Sequence, residues 1–229
     1  VSDSKAVDKT LGFYFSNVTE WHARLSTMAS LRVDRFADKG LVSTEEDDFT
    51  QTELSPKVGI VFKPVIDRVS LFANYMNGFE NEGPRVQSDG STVTFQPEQA
   101  RQWETGVKTR FLNGRVTSTL SYYNIDVSDV IRQDPDEPNS SVQDGEIESY
   151  GVEFSVTANP VPGMNLTLGY SHNEAENIKF NPDFDGLRPE RAGPKNLFDG
   201  WLSYQFTSGK FNGFGFGFGA NYASKHRTL

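Results

Sequence analysis

The sequence predicts an all-β protein whose antiparallel strands form a transmembrane β-barrel, and three observations carry that expectation. Large apolar side chains recur at every second position along most of the chain, which is the period of a strand and not of a helix. The positions between them are small or polar, so each strand offers one face to lipid and one to water. The links between strands alternate short and long, as they do when tight turns lie on one side of a membrane and extended loops on the other.

The strands follow in order. Leu11, Phe13 and Phe15 face away from Gly12, Tyr14 and Ser16; Leu25, Ala29, Leu31 and Val33 face away from Ser26, Ser30, Arg32 and Asp34. Val58, Ile60 and Phe62 come next, then Val69, Leu71, Ala73 and Tyr75 against Ser70, Asn74 and Met76. Trp103, Val107 and Phe111 oppose Glu104, Lys108 and Arg110, and Val116, Leu120 and Tyr122 oppose Thr117, Thr119 and Ser121. Tyr150, Val152, Phe154, Val156 and Ala158 form the next apolar row, followed by Met164, Leu166, Leu168 and Tyr170 and by Phe198, Leu202, Tyr204 and Phe206. Phe214, Phe216, Phe218, Ala220 and Tyr222 alternate with Gly215, Gly217, Gly219 and Asn221; in a helix each interior glycine would cost about 1 kcal/mol relative to alanine. These are about ten strands, each on the order of the 9–11 residues that cross a bilayer at a tilt.

The short links are residues 20–24, 64–68, 112–115, 159–163 and 207–210, and the long ones 37–48, 80–96, 133–147 and 173–194. Asn113-Gly114 and Ser208-Gly209 supply the positive φ of tight hairpins. Short turns on the periplasmic side and long loops outside the cell make the strand near residues 10–18 run toward the periplasm. In a soluble sandwich the apolar face would be a dry core, and loop length would have no reason to alternate.

Composition narrows the function classes. The 229 residues contain Gly 20 and Pro 11, in keeping with one repetitive architecture, and Cys 0 removes disulfides, thiol nucleophiles and cysteine-ligated metals. Twenty-two basic against 31 acidic residues give a net charge of -9, which speaks against a nucleic-acid groove. The longest apolar run, Val58 to Phe62, is far short of the roughly 18 residues of a spanning helix. Mean hydropathy is -0.53, a value that alternation produces even when one face meets lipid. Val1 to Lys5 show no apolar stretch of a signal peptide.

Phe95-Gln96-Pro97-Glu98-Gln99-Ala100-Arg101-Gln102-Trp103-Glu104-Thr105-Gly106-Val107-Lys108, then Asn113-Gly114-Arg115 and Ser121-Tyr122-Tyr123-Asn124-Ile125, resemble consecutive barrel strands of TonB-dependent outer-membrane receptors. Glu148 to Phe154, Gly169 to Asn173 and Gly217 to Lys225 resemble the ferric-siderophore branch, particularly its Bacteroidetes-like members. Phe13-Tyr14-Phe15, Leu31 to Phe36, Leu54 to Gly59 and Leu71 to Tyr75 fall in the family's order. The resemblance covers nearly the whole chain and implies that residues 1–229 are part of the second half of a 22-stranded barrel, without the plug domain and terminal strands.

Function follows from that resemblance. It implies an outer-membrane receptor of a Gram-negative bacterium that binds a ferric siderophore as transported ligand, with no cofactor and no catalysis. Import would draw on the TonB–ExbB–ExbD energy complex acting through a plug, and the apolar face would meet outer-membrane lipid. The expected ligand contacts are Met76, Arg85, Tyr123, Arg132 and Asn173, at the ends of inward-facing strands or on extracellular loops; Arg and Tyr pair with or stack on an anionic, aromatic-bearing chelate. Uptake of cobalamin, haem or an oligosaccharide, and a complete ten-stranded outer-membrane enzyme or adhesin, stay open.

The remaining motifs read as structure. The runs Glu45 to Asp48 and Asp134 to Glu137 are solvated charge. Asp183-Phe184-Asp185-Gly186 opens like a calcium loop but lacks the downstream Glu. His22, His172 and His226 are scattered, and two of the sequons at Asn17, Asn139 and Asn165 fall in predicted strands.

Overall fold

In the computed structural model, which describes residues 7–42 and 45–226, ten long strands form one antiparallel sheet in chain order. They are β1 (Val7–His22), β2 (Leu25–Val42), β3 (Glu45–Val65), β4 (Val69–Glu80), β7 (Glu98–Phe111), β8 (Val116–Gln133), β9 (Ser141–Ala158), β10 (Met164–Lys179), β11 (Asn196–Gln205) and β12 (Gly215–Ala223). Between β4 and β7 the chain makes a separate small hairpin of β5 (Arg85–Val86) and β6 (Thr92–Val93).

The alternating rows take opposite sides as the sequence predicts. Leu11, Phe13 and Phe15 on β1 are 59, 69 and 70% exposed on the outer face, the surface that meets lipid. Gly59, Asn74, Glu104, Lys108, Ser121, Glu153 and Asp199 share the concave face, which becomes the lumen wall. Several aromatic residues depart from this rule, and Phe72 and Trp201 are two that point inward. Each lies over a glycine on the neighbouring strand. A Cβ on Gly106 would stand 2.7 Å from the Phe72 ring and 2.4 Å from the Leu120 carbonyl, and one on Gly219 would stand 2.7 Å from the Trp201 ring. The missing side chain leaves the slot into which the ring folds, a pairing that fixes register as well as filling space. Lys108 Nζ sits 5.1 Å from the centre of the Phe72 ring on the same wall.

Turn chemistry matches the reading at one end. Leu112, Asn113 and Gly114 all have positive φ, at 51, 55 and 86°, which closes the β7–β8 hairpin. Asp67, at φ 63°, does the same between β3 and β4 without a glycine.

Four loop boundaries move, one of them the start of the expected loop 173–194, because β10 runs to Lys179. Residues 37–48 are not a long loop: β2 and β3 stay paired through Lys39↔Asp48 to Val42↔Glu45. The expected loop 133–147 shrinks to 134–140, because β8 runs to Gln133 and β9 starts at Ser141. The reason is that ladder hydrogen bonds do not stop at the lipid surface, and polar residues that would be costly on a lipid-facing strand are tolerated on one standing in water. At the other end, the link after β11 occupies residues 206–214 and contains the 3-10 turn Gly209–Phe211. The short and long ends therefore differ in how far the structure reaches beyond the lipid band. Residues 1–6, 43–44 and 227–229, including the N-terminal segment read above, lie outside the described residues.

Most of the buried apolar core lies at the long-loop end. Phe95, Val130, Ile131, Ile147 and Ala175 are all under 10% exposed, and Pro97 is fully buried. β1 and β12 each have one neighbour in the sheet, so the sheet is open and both edges present unpaired backbone.

A charge placed in the lipid-facing row should be costly. Leu120→Arg in the full-length barrel is expected to lower unfolding free energy by about 2–4 kcal/mol, measured by urea titration in lipid vesicles; an effect within error would remove the lipid assignment of that face. Gly106→Val should cost about 1–3 kcal/mol by overpacking against Phe72, and combining it with Phe72→Ala should recover part of the loss.

Candidate functional site

Three connections at the long-loop end fold back onto the ends of β7 to β10 and build a walled rim. The 81–97 connection is fastened across β9. Gln87 Oε1 accepts from the Ser141 amide at 2.8 Å, the Ser88 amide donates to Ser140 Oγ at 3.1 Å, and the Gln143 side chain accepts from the Gln96 amide at 2.8 Å. Gln51 on β3 donates to the Phe95 carbonyl at 2.5 Å. The outcome is a loop whose apolar residue Phe95 is buried and whose polar residues satisfy backbone groups that would otherwise lose water.

A bulge then re-aims β8. Asp129 has φ 61°, and the register with β9 shifts between Val127 and Val130 and again before Ile131. The extra residues turn Val130 and Ile131 into the rim. The Ile131 amide, removed from the regular ladder, donates to Glu98 Oε1 at 3.2 Å, and Arg191 Nη2 reaches Glu98 Oε2 at 3.4 Å. Glu98 is 6% exposed, so these two donors supply the partners that a buried carboxylate requires.

Two cavities result. The outer one, about 790 Å³, is lined by Val130, Ile131, Phe180 and Phe184 together with Arg85, Arg188 and Arg191 and the carboxylates of Glu82 and Glu98 that pair with the first and last of these. The inner one, about 620 Å³, descends along the lumen wall past Tyr123, Ser149 and Asn173 to Glu104 and Glu153. Ile147, Pro189 and Arg191 belong to both and form the wall between them.

One side-chain chain ties that wall to the sheet. Arg188 donates to Asn173 Oδ1 at 2.7 Å and to the Asn173 carbonyl at 3.1 Å, and also to the Gly193 and Ala192 carbonyls at 3.0 and 3.2 Å. Asn173 Nδ2 in turn donates to Tyr123 OH at 3.0 Å and to Ser149 Oγ at 2.8 Å. Tyr123 is held flat because Gly151 lies under it: a Cβ there would come within 2.7 Å of the phenol oxygen. Apolar side chains, an excess of one cation over the two carboxylates and a fixed phenol suit an anionic ligand that carries apolar or aromatic parts.

The five expected contact residues separate into three groups. Tyr123 and Asn173 are hydrogen-bonded neighbours in the inner cavity, and Arg85 lines the outer one, 3.2 Å from Glu82. Met76 stands on the lumen face of β4, opposite Gln102, and lines neither cavity. Arg132 also lines neither; it is 11% exposed and clamped to Asp144 at 2.6 Å, while Lys179 approaches the same carboxylate at 2.7 Å. Hydrogen bonds from Arg132 and then Lys179 hold the Asp144 carboxyl down to about 2, from an ordinary 3.8. Asp144 lies on the outward side of Tyr150, beyond the apolar row of β9. The sequence reading missed Arg188, Arg191, Phe180, Phe184 and the partnering of Glu98. The run Arg188-Pro189-Glu190-Arg191 was the available signal, as two guanidiniums spaced around a proline in a long loop. Asp185 in the calcium-like stretch serves the turn itself, accepting from the Phe180 amide at 2.6 Å.

Comparison with known proteins gives a consistent set of matches. The family model described as TonB dependent receptor-like, beta-barrel matches residues 1–228. The Ferrioxamine B receptor of Salmonella typhimurium is 25% identical over 217 residues, covering 93% of this chain and 30% of that protein. The Ferrichrome outer membrane transporter/phage receptor of Escherichia coli is 27% identical over 219 residues, covering 93% of this chain and 28% of that protein. The crystal structure of the ferripyoverdine receptor of the outer membrane of Pseudomonas aeruginosa superposes with a TM-score of 0.79 at 20% identity, over 96% of this chain and 29% of that one. The chain thus spans about 30% of the length of the curated relatives it matches.

The Asp144 clamp has a defined pH response. Its carboxyl titrates lower in the folded state than the ordinary 3.8, so the stabilisation is complete above that value and is lost as pH falls toward about 2. A spin label at the exposed position Asn139 should keep one mobility from pH 7 to 4 and become mobile only as pH approaches about 2. Asp144→Asn should be mobile already at pH 7 with no acid step, and an unchanged spectrum in that variant would show that the ion pair does not hold the 134–140 connection.

Proposed function

The chain belongs to the TonB-dependent receptor-like β-barrel family, and from that premise we propose that it is the ligand-facing wall of an outer-membrane receptor importing a ferric siderophore. The observation that carries the reading is the pair of adjoining cavities at the extracellular end, one lined by Arg85, Arg188 and Arg191 with apolar residues and the other by the hydrogen-bonded Tyr123 and Asn173. Ferric chelates present carboxylate, hydroxamate or catecholate oxygens on an organic scaffold, and that surface matches such a cavity in charge and in polarity. The receptors for ferrioxamine B and ferrichrome among its relatives support the same class of cargo.

In this reading the ligand enters over Phe180 and Phe184, meets the guanidinium groups, and descends to Tyr123 and Asn173. Met76 lies further round the wall, and Arg132 acts through Asp144 by holding the rim. The role is recognition and passage without bond chemistry. The whole receptor extends beyond residues 1–229 to include a plug, through which the TonB–ExbB–ExbD complex supplies the energy.

The test is a titration of the full-length receptor in detergent with ferric hydroxamate, catecholate and carboxylate chelates, haem and cobalamin. Intrinsic fluorescence of Trp201 and the two other tryptophans reports binding. One ferric chelate should quench saturably, and Tyr123→Ala or Arg191→Ala should weaken it about tenfold, the worth of one charge-assisted hydrogen bond of roughly 1.5 kcal/mol. A response to haem or cobalamin alone would discard the siderophore while keeping the transporter, and silence toward every nutrient would remove both.

A further inference from the structure

The side-chain amide of Asn173 has both of its N–H groups and its oxygen engaged. Oδ1 accepts from Arg188 Nη2 at 2.7 Å, and Nδ2 donates to Tyr123 OH at 3.0 Å and to Ser149 Oγ at 2.8 Å. That direction is not free to reverse. A guanidinium has donors only, so the amide oxygen must face Arg188 and the nitrogen must face the two hydroxyls. Arg188 is held in place by further donation to the carbonyls of Asn173, Gly193 and Ala192. The reach across the sheet depends on Gly151, which stands in register between Tyr123 on β8 and Asn173 on β10. Strands two apart are separated by roughly 9–10 Å, and the missing side chain at Gly151 leaves the space between them open.

A hydroxyl has one proton to give. Tyr123 and Ser149 each accept a hydrogen bond from Asn173, so their own protons point away from it. Among the described residues neither hydroxyl donates to a protein acceptor. Glu104, the register partner of Tyr123, accepts from Asn74 Nδ2 at 3.1 Å instead. Tyr123 and Ser149 both line the inner cavity, and that cavity is where their protons meet an acceptor.

We propose that Arg188 and Asn173 are positioning residues that set the inner cavity to donate, so that it selects ligands whose inward end carries unprotonated acceptor oxygens over ligands that present hydroxyl or amine protons there. The carbonyl and hydroxamate oxygens of a chelate are such acceptors. The proposal rests on the reading of the site as a ferric-siderophore cavity. Neither residue touches the ligand in order to do this. A hydroxyl proton set against a ligand proton loses its bond to water without replacement, and that loss is the larger part of discrimination by hydrogen bonding.

Asn173→Asp in the full-length receptor tests the relay, because a carboxylate has acceptors only. It keeps a partner for Arg188 and accepts from both hydroxyls, whose protons then turn out of the cavity. The infrared C–O stretch of Tyr123, isolated in detergent without ligand by subtracting the spectrum of Tyr123→Phe, should be that of a phenol that both accepts and donates in the native receptor. In Asn173→Asp it should fall in frequency, as for a phenol that only donates. A neutral ferric trihydroxamate gives the added charge little to act on, and it should bind Asn173→Asp about tenfold more weakly, the worth of one hydrogen bond. In a background of Tyr123→Phe with Ser149→Ala the same change should have no further effect. An unmoved stretch in a variant that keeps the heat-modifiable gel mobility of the folded barrel overturns the proposal. An equal loss of binding in the background without hydroxyls overturns it too, because the effect then runs through charge or through the 180–195 connection. Unchanged trihydroxamate binding by folded Tyr123→Phe with Ser149→Ala does so without recourse to Asn173→Asp. The infrared comparison contains no ligand, so failure of the siderophore titration and failure of the relay are separate results.

Discussion

Lipid offers no hydrogen bonds, and every amide that crosses it must be satisfied by the chain itself. The ten-strand ladder is the consequence, and the rest of the molecule is arranged around it. Because the ladder supplies the backbone partners, side chains are left to divide between two solvents, and the outer row of Leu11, Phe13 and Phe15 needs only to be apolar. Nothing behind that row resembles a packed interior. Close packing is postponed to the rim, where the 81–97 connection, the β8 bulge and the 180–195 connection cover one another and bury Phe95, Pro97, Val130 and Ile147.

This division explains which parts of the fold were legible in the sequence. Period-two alternation survives wherever lipid and water lie on opposite faces, so the strands from Leu11 to Tyr222 could be read with their correct sides. It fails where a residue answers to a neighbour instead of a solvent. Phe72 and Trp201 face the lumen because glycines across the ladder make room for their rings, and a pattern taken along one strand does not contain that information. Strand ends were misplaced for a related reason. Residues 37–48 are polar enough to read as a loop, yet outside the membrane a paired hairpin of polar residues is as acceptable as an open one.

The candidate site divides along the same line. Tyr123 and Asn173 sit at the upper ends of inward rows, where strand phase alone predicts a lumen-facing side chain. Arg188 and Arg191 lie in a connection whose path is set by contacts made 15 and 93 residues away, with Asn173 and Glu98. Arg132 shows the converse. A lone arginine near a strand end looks available for a ligand, but two positions of a bulged partner strand place Asp144 against it, and its charge is spent on holding the rim.

The contact between Tyr123 and Gly151 has an evolutionary consequence. The phenol that lines the inner cavity and the glycine beneath it are coupled, since a side chain at Gly151 would meet the Tyr123 ring as well as the His172 carbonyl of β10. A mutation on β9 outside the cavity therefore shifts the phenol that lines it on β8. Divergence at position 123 can therefore start from its silent partner only where the β10 backbone at His172 also gives way, and each position constrains which substitutions the other will accept.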